Sequence, residues 1–142
     1  MHAGIRPRDI SAMRDAHPGA DFLIHPECGC STSVMEYVAA GDVSADGVHM
    51  LSTGGMLGYA RGAQAGATAI VATEVGMLHG LQMAAPDIDF IAANEAASCR
   101  YMKMITLPKL RDALRDGEPV VKVPDAIAAR ARTAIERMVA IG

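Results

Sequence analysis

Residues 69–76 of this 142-residue chain read Ala69-Ile70-Val71-Ala72-Thr73-Glu74-Val75-Gly76. A short continuous apolar run that includes β-branched residues is typical of a strand buried on both faces. Polar residues and a glycine follow at once, and the next segment, Met77 to Ala84, has helical spacing. The stretch therefore predicts a strand, a turn and a helix in direct succession.

The same pattern occurs in three other places along the chain. The predicted strands are Asp21-Phe22-Leu23-Ile24, Val48-His49-Met50-Leu51 and Asp89-Phe90-Ile91-Ala92, and each ends in polar residues. Helical spacing follows at Ser33 to Ala40 and at Met56 to Ala63. Short apolar strands that alternate with helices indicate βαβ units. We therefore predict an α/β fold, with a parallel sheet of about four strands and flanking helices.

Both ends of the chain are predicted to be helical. A helix is expected from about Pro7 to Ala16, and another from Leu107 to Arg115, closed by Gly117. Pro124 and Asp125 then open a last amphipathic helix to Ile141, which we expect to pack across the domain. Five methionines are expected to fill gaps in the core, namely Met35, Met50, Met56, Met77 and Met83.

The composition excludes several functional classes. A net charge of −3 and the absence of Trp do not suit a nucleic-acid-binding protein. No apolar run approaches the roughly 20 residues of a membrane helix, and no signal peptide is visible, so a cytoplasmic location is expected. Cys28, Cys30 and Cys99 are too few for a disulfide framework or a four-cysteine zinc site.

The candidate site lies where the predicted strands end, because ligands of open parallel sheets bind outside the carboxyl ends of the strands. The polar residues expected there are His25, Glu27, Ser52, Thr53, Thr73, Glu74, Asn94 and Glu95. His25-Pro26-Glu27 presents an imidazole and a carboxylate on either side of a rigid proline, which suits proton transfer on a carbonyl or imine. A strand-end turn without chemistry is the equally open interpretation.

Two other motifs at these strand ends also have a structural explanation. Ser52-Thr53-Gly54-Gly55 offers hydroxyls and backbone N–H groups to an anion, but the spacing favours an ordinary N-cap. Cys99 follows the fourth strand, and its sequence context leaves three roles open. It is a nucleophile, a metal ligand or a buried, inert thiol.

Taken in order, the motifs resemble those of quinolinate synthase, the iron–sulfur enzyme of bacterial NAD biosynthesis. The matching segments are His2-Ala3-Gly4-Ile5, His25-Pro26-Glu27-Cys28, Ser52-Thr53, the run from Thr73 to His79, and the run from Cys99 to Met104. The resemblance implies three similar α/β domains around a central cavity. It also implies a 4Fe-4S cluster held by one cysteine from each domain, and condensation of iminoaspartate with dihydroxyacetone phosphate to quinolinate.

The resemblance also assigns roles to individual residues. The family's substrate-binding His and Glu fall on His25 and Glu27, the two catalytic candidates, and its substrate-binding Thr falls on Thr53. Met102 falls at a position that lines the cavity, and Cys99 falls on the C-terminal cluster ligand. Cys28 and Cys30 match no cluster ligand.

The resemblance covers the C-terminal part of the family only. Residues 1–20 correspond to the end of its middle domain and residues 21–142 to its C-terminal domain with the terminal helix. The other two cluster ligands would lie outside this chain, so we expect it to be inactive unless an N-terminal half supplies them. The alternatives are a non-catalytic remnant and a module that binds a small dicarboxylate through His25, Glu27 and Thr53.

Overall fold

A computed structural model describes Ile5 and residues 7–26, 36, 38–41 and 44–141. Two compact units make up the chain, Met1–Lys103 and Met104–Gly142. The elements are α1 (Pro7–Ala16), β1 (Asp21–Ile24), β2 (Val48–Met50), α2 (Thr53–Gly62), β3 (Thr68–Ala72), α3 (Met77–Ala84), β4 (Asp89–Ala92), a 3-10 helix (Met102–Met104), α4 (Leu107–Asp116) and α5 (Asp125–Ile141). Residues 38–40 are also helical. Every strand and helix predicted within the described residues is present, with ends that differ by at most a few residues.

The strands form one sheet in the order β2-β1-β3-β4. All three strand pairs are parallel. This sheet, with helices before, between and after its strands, confirms the predicted α/β fold. Because the strands are parallel, their carboxyl ends lie along one edge, which we call the C-terminal edge.

The central strands β1 and β3 are buried on both faces, which explains why they are continuously apolar, whereas β2 at one side of the sheet is only partly buried. Side chains alternate between the two faces of a strand. Phe22 and Ile24 of β1 therefore join one cluster, with Ile5 and with Ile10 of α1. Leu23, between them in sequence, joins a second cluster. The second cluster takes its helical members from α2 and α3, namely Met56, Ala60 and Leu81.

Arg14 provides a further connection between α1 and the sheet. Its guanidinium carbon lies 5.1 Å from the centre of the Phe22 ring, a cation–π arrangement. Its Nη2 also donates to the carbonyl oxygens of Ser44 at 2.9 Å and Asp46 at 3.3 Å. One side chain of α1 thus contacts both the first strand and the segment that leads into β2.

The unit Met104–Gly142 contains α4 and α5. The Thr106 hydroxyl accepts a hydrogen bond from the Lys109 amide at 3.4 Å and caps the start of α4. Gly117 ends this helix in the left-handed conformation, with φ of 68°. The helix ends predicted from Gly117 and Pro124 are confirmed. Packing of α5 across the domain and the domain boundary at residue 20 stay predictions.

The prediction for the methionines is only partly correct. Met56 is fully buried and Met77 packs against the second cluster. Met83 and Met50, however, are 73% and 37% exposed, so neither is a core residue. Met35 lies outside the described residues. Among the described residues, every helix is too short or too polar to span a lipid bilayer.

Replacement of Ile24 should show how far stability depends on the sheet. Ile24 of β1 is fully buried in the cluster that includes Ile10 of α1, so Ile24→Ala should lower the free energy of unfolding by about 2–5 kcal/mol. Met83→Ala, in exposed helical surface, is the control and should change it by less than about 0.5 kcal/mol. Urea titration followed by circular dichroism measures both. Equal effects would show that the assigned core is wrong.

Candidate functional site

The C-terminal edge carries polar residues from all four strands. Across the sheet, β2 leads to Ser52 and Thr53, β1 to His25, β3 to Thr73 and Glu74, and β4 to Asn94. The predicted gathering of strand-end side chains at one edge is therefore present for the described residues. Glu27 follows His25 by two positions and lies outside them.

Backbone hydrogen bonds beyond the strand ends fix the position of His25. The Leu51 amide donates to the Ile24 carbonyl at 2.9 Å, and the His25 amide donates to the Ala72 carbonyl at 3.4 Å. The chain at His25 is thus tied to β3, and the chain just before it is tied to the β2 side. His25 is half-buried.

The motif at the start of α2 acts as a cap. The Ser52 hydroxyl accepts a hydrogen bond from the Gly55 amide at 3.1 Å, so the favoured N-cap interpretation is confirmed. Thr53 is the first residue of the helix and its side chain is exposed at the C-terminal edge. Both residues are exposed, and the Ser52 hydroxyl is the one that caps the helix.

Glu74 is the most deeply buried charged residue among those described, at 4% exposure. Oε2 accepts from the Gly76 amide at 2.7 Å. Oε1 accepts from the Cys99 amide at 3.3 Å and lies 3.1 Å from Lys103 Nζ. Burial alone raises the pKa of Glu74, but the hydrogen bonds from Lys103 and from the two amides outweigh it, so the net pKa is lowered. The side chain is an ionised carboxylate at neutral pH.

Cys99 lies in the segment after β4, next to this carboxylate. The Val75 amide donates to the Ala97 carbonyl at 2.9 Å, and the Lys103 amide donates to the Cys99 carbonyl at 3.0 Å. Cys99 is half-buried, and the hydrogen bond to Glu74 connects it to the end of β3. Met102, in the 3-10 helix, is 53% exposed. The structure thus places Cys99 at the C-terminal edge, as the sequence predicts.

The described residues do not form a complete metal site. No group of three or more His, Cys, Asp or Glu side chains in the described part of the chain is close enough to hold a metal ion. An iron–sulfur cluster needs several thiolates, and Cys99 is the one described cysteine. Cys28 and Cys30 lie outside the described residues.

Sequence reasoning missed the pairing of Glu74 with Lys103. Glu74 was expected at the edge, but nothing in the sequence connects it with residues 25 and 29 positions away. The only local signal is Gly76, two residues after Glu74. Because glycine has no Cβ atom, the carboxylate can approach its amide. A pattern so short has no predictive value without the fold.

A second polar cluster lies toward the opposite ends of β1 and β2. The Tyr59 hydroxyl of α2 donates to Asp21 Oδ2 at 2.6 Å. His49 Nε2 lies 3.4 Å from the same oxygen, and the His49 and Tyr59 rings are 5.3 Å apart. Burial raises the pKa of the Tyr59 hydroxyl well above its usual range, and the Asp21 carboxylate adds to this effect. The cluster fastens α2 to the start of β1.

A parallel sheet covered on both faces, with polar groups gathered at the carboxyl ends of its strands, defines the class of α/β proteins that bind small ligands at that edge. Comparison with known protein families identifies the particular family within this class. Residues 1–140 match the family described as Quinolinate synthetase A protein. The chain belongs to this family, which confirms the resemblance seen in its motifs.

Curated relatives agree with the family match. The chain is 49% identical over its whole length to quinolinate synthase of Mycobacterium sp. strain KMS, of which it covers 42%. It is 47% identical to that of Mycobacterium tuberculosis strain H37Rv and 48% identical to that of Thermus thermophilus, covering 40% and 43% of them. The chain thus spans about two fifths of the length of these relatives.

The raised pKa of Tyr59 predicts a loss of stability at alkaline pH. In the unfolded chain the phenol ionises near pH 10, whereas the folded chain keeps it protonated to higher pH. The stability that Tyr59 contributes is therefore complete below pH about 10 and falls above it, by at most about 1.4 kcal/mol per pH unit. Urea titrations at pH 8 and pH 11 should show that Tyr59→Phe loses less stability over this interval than the parent chain. An equal loss in both would contradict the raised pKa of Tyr59.

Proposed function

We propose that this chain provides one part of a quinolinate synthase, the enzyme that condenses iminoaspartate with dihydroxyacetone phosphate to quinolinate in NAD biosynthesis. Membership of the family, together with the polar strand ends and Cys99 at one edge of the sheet, supports the proposal. The reaction is assigned to the cytoplasm. Because this chain covers 40–43% of its relatives, further polypeptide supplies the remaining parts of the active site.

Cys99 is proposed as one ligand of a 4Fe-4S cluster. Its half-buried position at the C-terminal edge is compatible with a thiolate that meets ligands from elsewhere. When bound, such a cluster would supply Lewis-acid polarisation of a substrate oxygen or nitrogen. Two further thiolates are required, and Cys28 and Cys30 are proposed not to contribute them.

His25, Glu27 and Thr53 are proposed to act on the substrate. The fixed backbone at His25 lets the imidazole accept and return a proton without a large loss of conformational entropy. Glu27, two residues on, is proposed as its partner in proton transfer. Thr53, exposed at the first position of α2, would hydrogen-bond a substrate carboxylate beside the N-terminus of the helix. Met102 is proposed to line the cavity.

Anaerobic reconstitution with iron and sulfide tests the ligand assignment. We expect the chain alone to form no stable brown species. Co-expressed with the part of the Thermus thermophilus relative that it does not cover, it should give an absorbing cluster. Cys99→Ser should abolish cluster retention in this complex, whereas Cys28→Ser should retain it. Equal loss in both variants would overturn the assignment of Cys99, and a cluster in the isolated chain would overturn the requirement for a partner.

Turnover in the same complex tests the substrate residues. Glu27→Gln removes the charge but keeps the shape, so the rate should fall about 10²- to 10⁴-fold with the cluster absorbance unchanged. Asp87→Asn, an exposed carboxylate that precedes β4 and lies away from the C-terminal edge, is the control and should leave the rate unaltered. A normal rate for Glu27→Gln would remove Glu27 from the mechanism. If no complex retains an iron–sulfur cluster and none shows turnover, the small-dicarboxylate binding module becomes the better hypothesis.

A further inference from the structure

Glu74 accepts hydrogen bonds from more donors than the start of a helix requires. The Gly76 amide, at the N-cap of α3, donates to Oε2 at 2.7 Å. That bond satisfies one of the amides that the start of the helix leaves without an intrahelical partner. The other oxygen, Oε1, receives the Cys99 amide at 3.3 Å and faces Lys103 Nζ at 3.1 Å. Helix capping thus explains one carboxylate oxygen and leaves the contacts of the other unexplained.

The contacts of Oε1 span the segment that carries the thiol. Cys99 and Lys103 are four residues apart, and the Lys103 amide donates to the Cys99 carbonyl at 3.0 Å. The carboxylate therefore contacts this turn at its first amide and at the ammonium group of its last residue. An ionised carboxylate away from water is stable only when charge and hydrogen bonds compensate for its lost hydration. Moving the turn away would leave Oε1 without these partners, so the burial of Glu74 and the position of Cys99 are coupled.

The close packing around Gly76 gives a second, steric sign of this coupling. A Cβ atom at Gly76 would lie 2.6 Å from Glu74 Oε2 and 3.2 Å from Lys103 Nζ. Gly76 has a φ of −61°, which any residue adopts, so backbone conformation does not require glycine there. Glycine is required at this position because a larger side chain would occupy the space of the ion pair between Glu74 and Lys103. Inside α3, Gly80 has no atom within 4 Å of its Cβ position apart from its chain neighbours and the backbone of its own helix.

We propose that Glu74, paired with Lys103 across the space left by Gly76, is a positioning residue that holds the Cys99 turn at the C-terminal edge for metal ligation. The inference rests on the proposed role of Cys99 as a cluster ligand. Glu74 acts through the backbone of that turn and does not itself ligate the metal. Outer-shell contacts that orient a ligand commonly change metal affinity by about 10- to 100-fold.

Amide hydrogen exchange in the metal-free chain tests the positioning directly. Lys103→Met removes the ammonium group and keeps the length of the side chain, so exchange at the Cys99 amide should accelerate about tenfold. Because the ammonium group is the countercharge of the buried Glu74 carboxylate, the urea midpoint should also fall, and exchange is therefore measured under conditions in which the chain stays folded. Lys103→Arg should restore slow exchange. Unchanged exchange in Lys103→Met, or an equal change in Lys103→Met and Lys103→Arg, would overturn the proposal.

A matched pair of glycine variants separates the ion pair from the helix. Gly76→Ala should accelerate exchange at Cys99, since the new methyl group displaces the carboxylate. Gly80→Ala should leave it unchanged, although both variants place alanine in or beside α3. If Gly80→Ala accelerates exchange as much as Gly76→Ala, the effect comes from the helix and the proposal fails.

Cluster loss to a chelator in the reconstituted complex then connects position with ligation. Lys103→Met should lose iron about 10- to 100-fold faster than the parent complex, and Lys103→Arg should be close to the parent. Cys99→Ser is measured beside them. If Cys99→Ser retains its cluster, the proposed function is wrong and the inference falls with it. If Cys99→Ser loses the cluster and Lys103→Met keeps it normally, only the positioning role is wrong.

Discussion

The parallel ladder between β1 and β3 is the constraint on which the first unit depends. Asp21 pairs with Ala69 and Ile24 with Ala72, with one register along both strands. Because side chains alternate, this register places the paired residues Phe22 and Ile70 in one apolar cluster and the next pair, Leu23 and Val71, in the other. A slip by one residue would turn every apolar side chain to the wrong face. The same register sets which residues emerge at the C-terminal edge.

The chemistry of that edge follows from a conflict between burial and charge. Strands covered on both faces end among apolar helices, and a carboxylate placed there loses its hydration. Glu74 is nevertheless 4% exposed, and its compensation comes from two amides and an ammonium group. Such compensation needs partners at fixed positions. The segment after β4 supplies two of them, the Cys99 amide and the Lys103 ammonium group, and therefore lies against the end of β3. A charged group thereby connects the end of β3 to the segment that carries Cys99, the residue proposed to bind iron.

The sequence was informative where one physical requirement acts on neighbouring residues. Buried parallel strands need continuous apolar runs, and β1, β3 and β4 were found on that basis. Ser52 was correctly favoured as a cap because its partner is only three residues away. Family motifs then identified the chain, which composition alone did not. Membership was thus predictable from short patterns taken in order.

The failures concern relations that only the folded chain defines. Met83 was predicted in the core because it is apolar, but it lies two positions from buried Leu81 and therefore on the opposite side of α3. The pairing of Glu74 with Lys103 joins two elements separated by a whole βα unit. The roles of His25, Glu27, Thr53, Met102 and Cys99 rest on resemblance, since burial and hydrogen bonds locate a side chain without giving its reaction.

The attachment of α1 has a practical meaning for shortened versions of this protein. Ile10 covers Phe22 and Ile24, while the Arg14 guanidinium joins the same ring to the carbonyls before β2. A recombinant fragment that starts at β1 would expose the apolar surface on one face of the sheet to solvent, and such fragments tend to aggregate. The helix α1 belongs to the same compact unit as the sheet, so a shortened version of the protein should keep both.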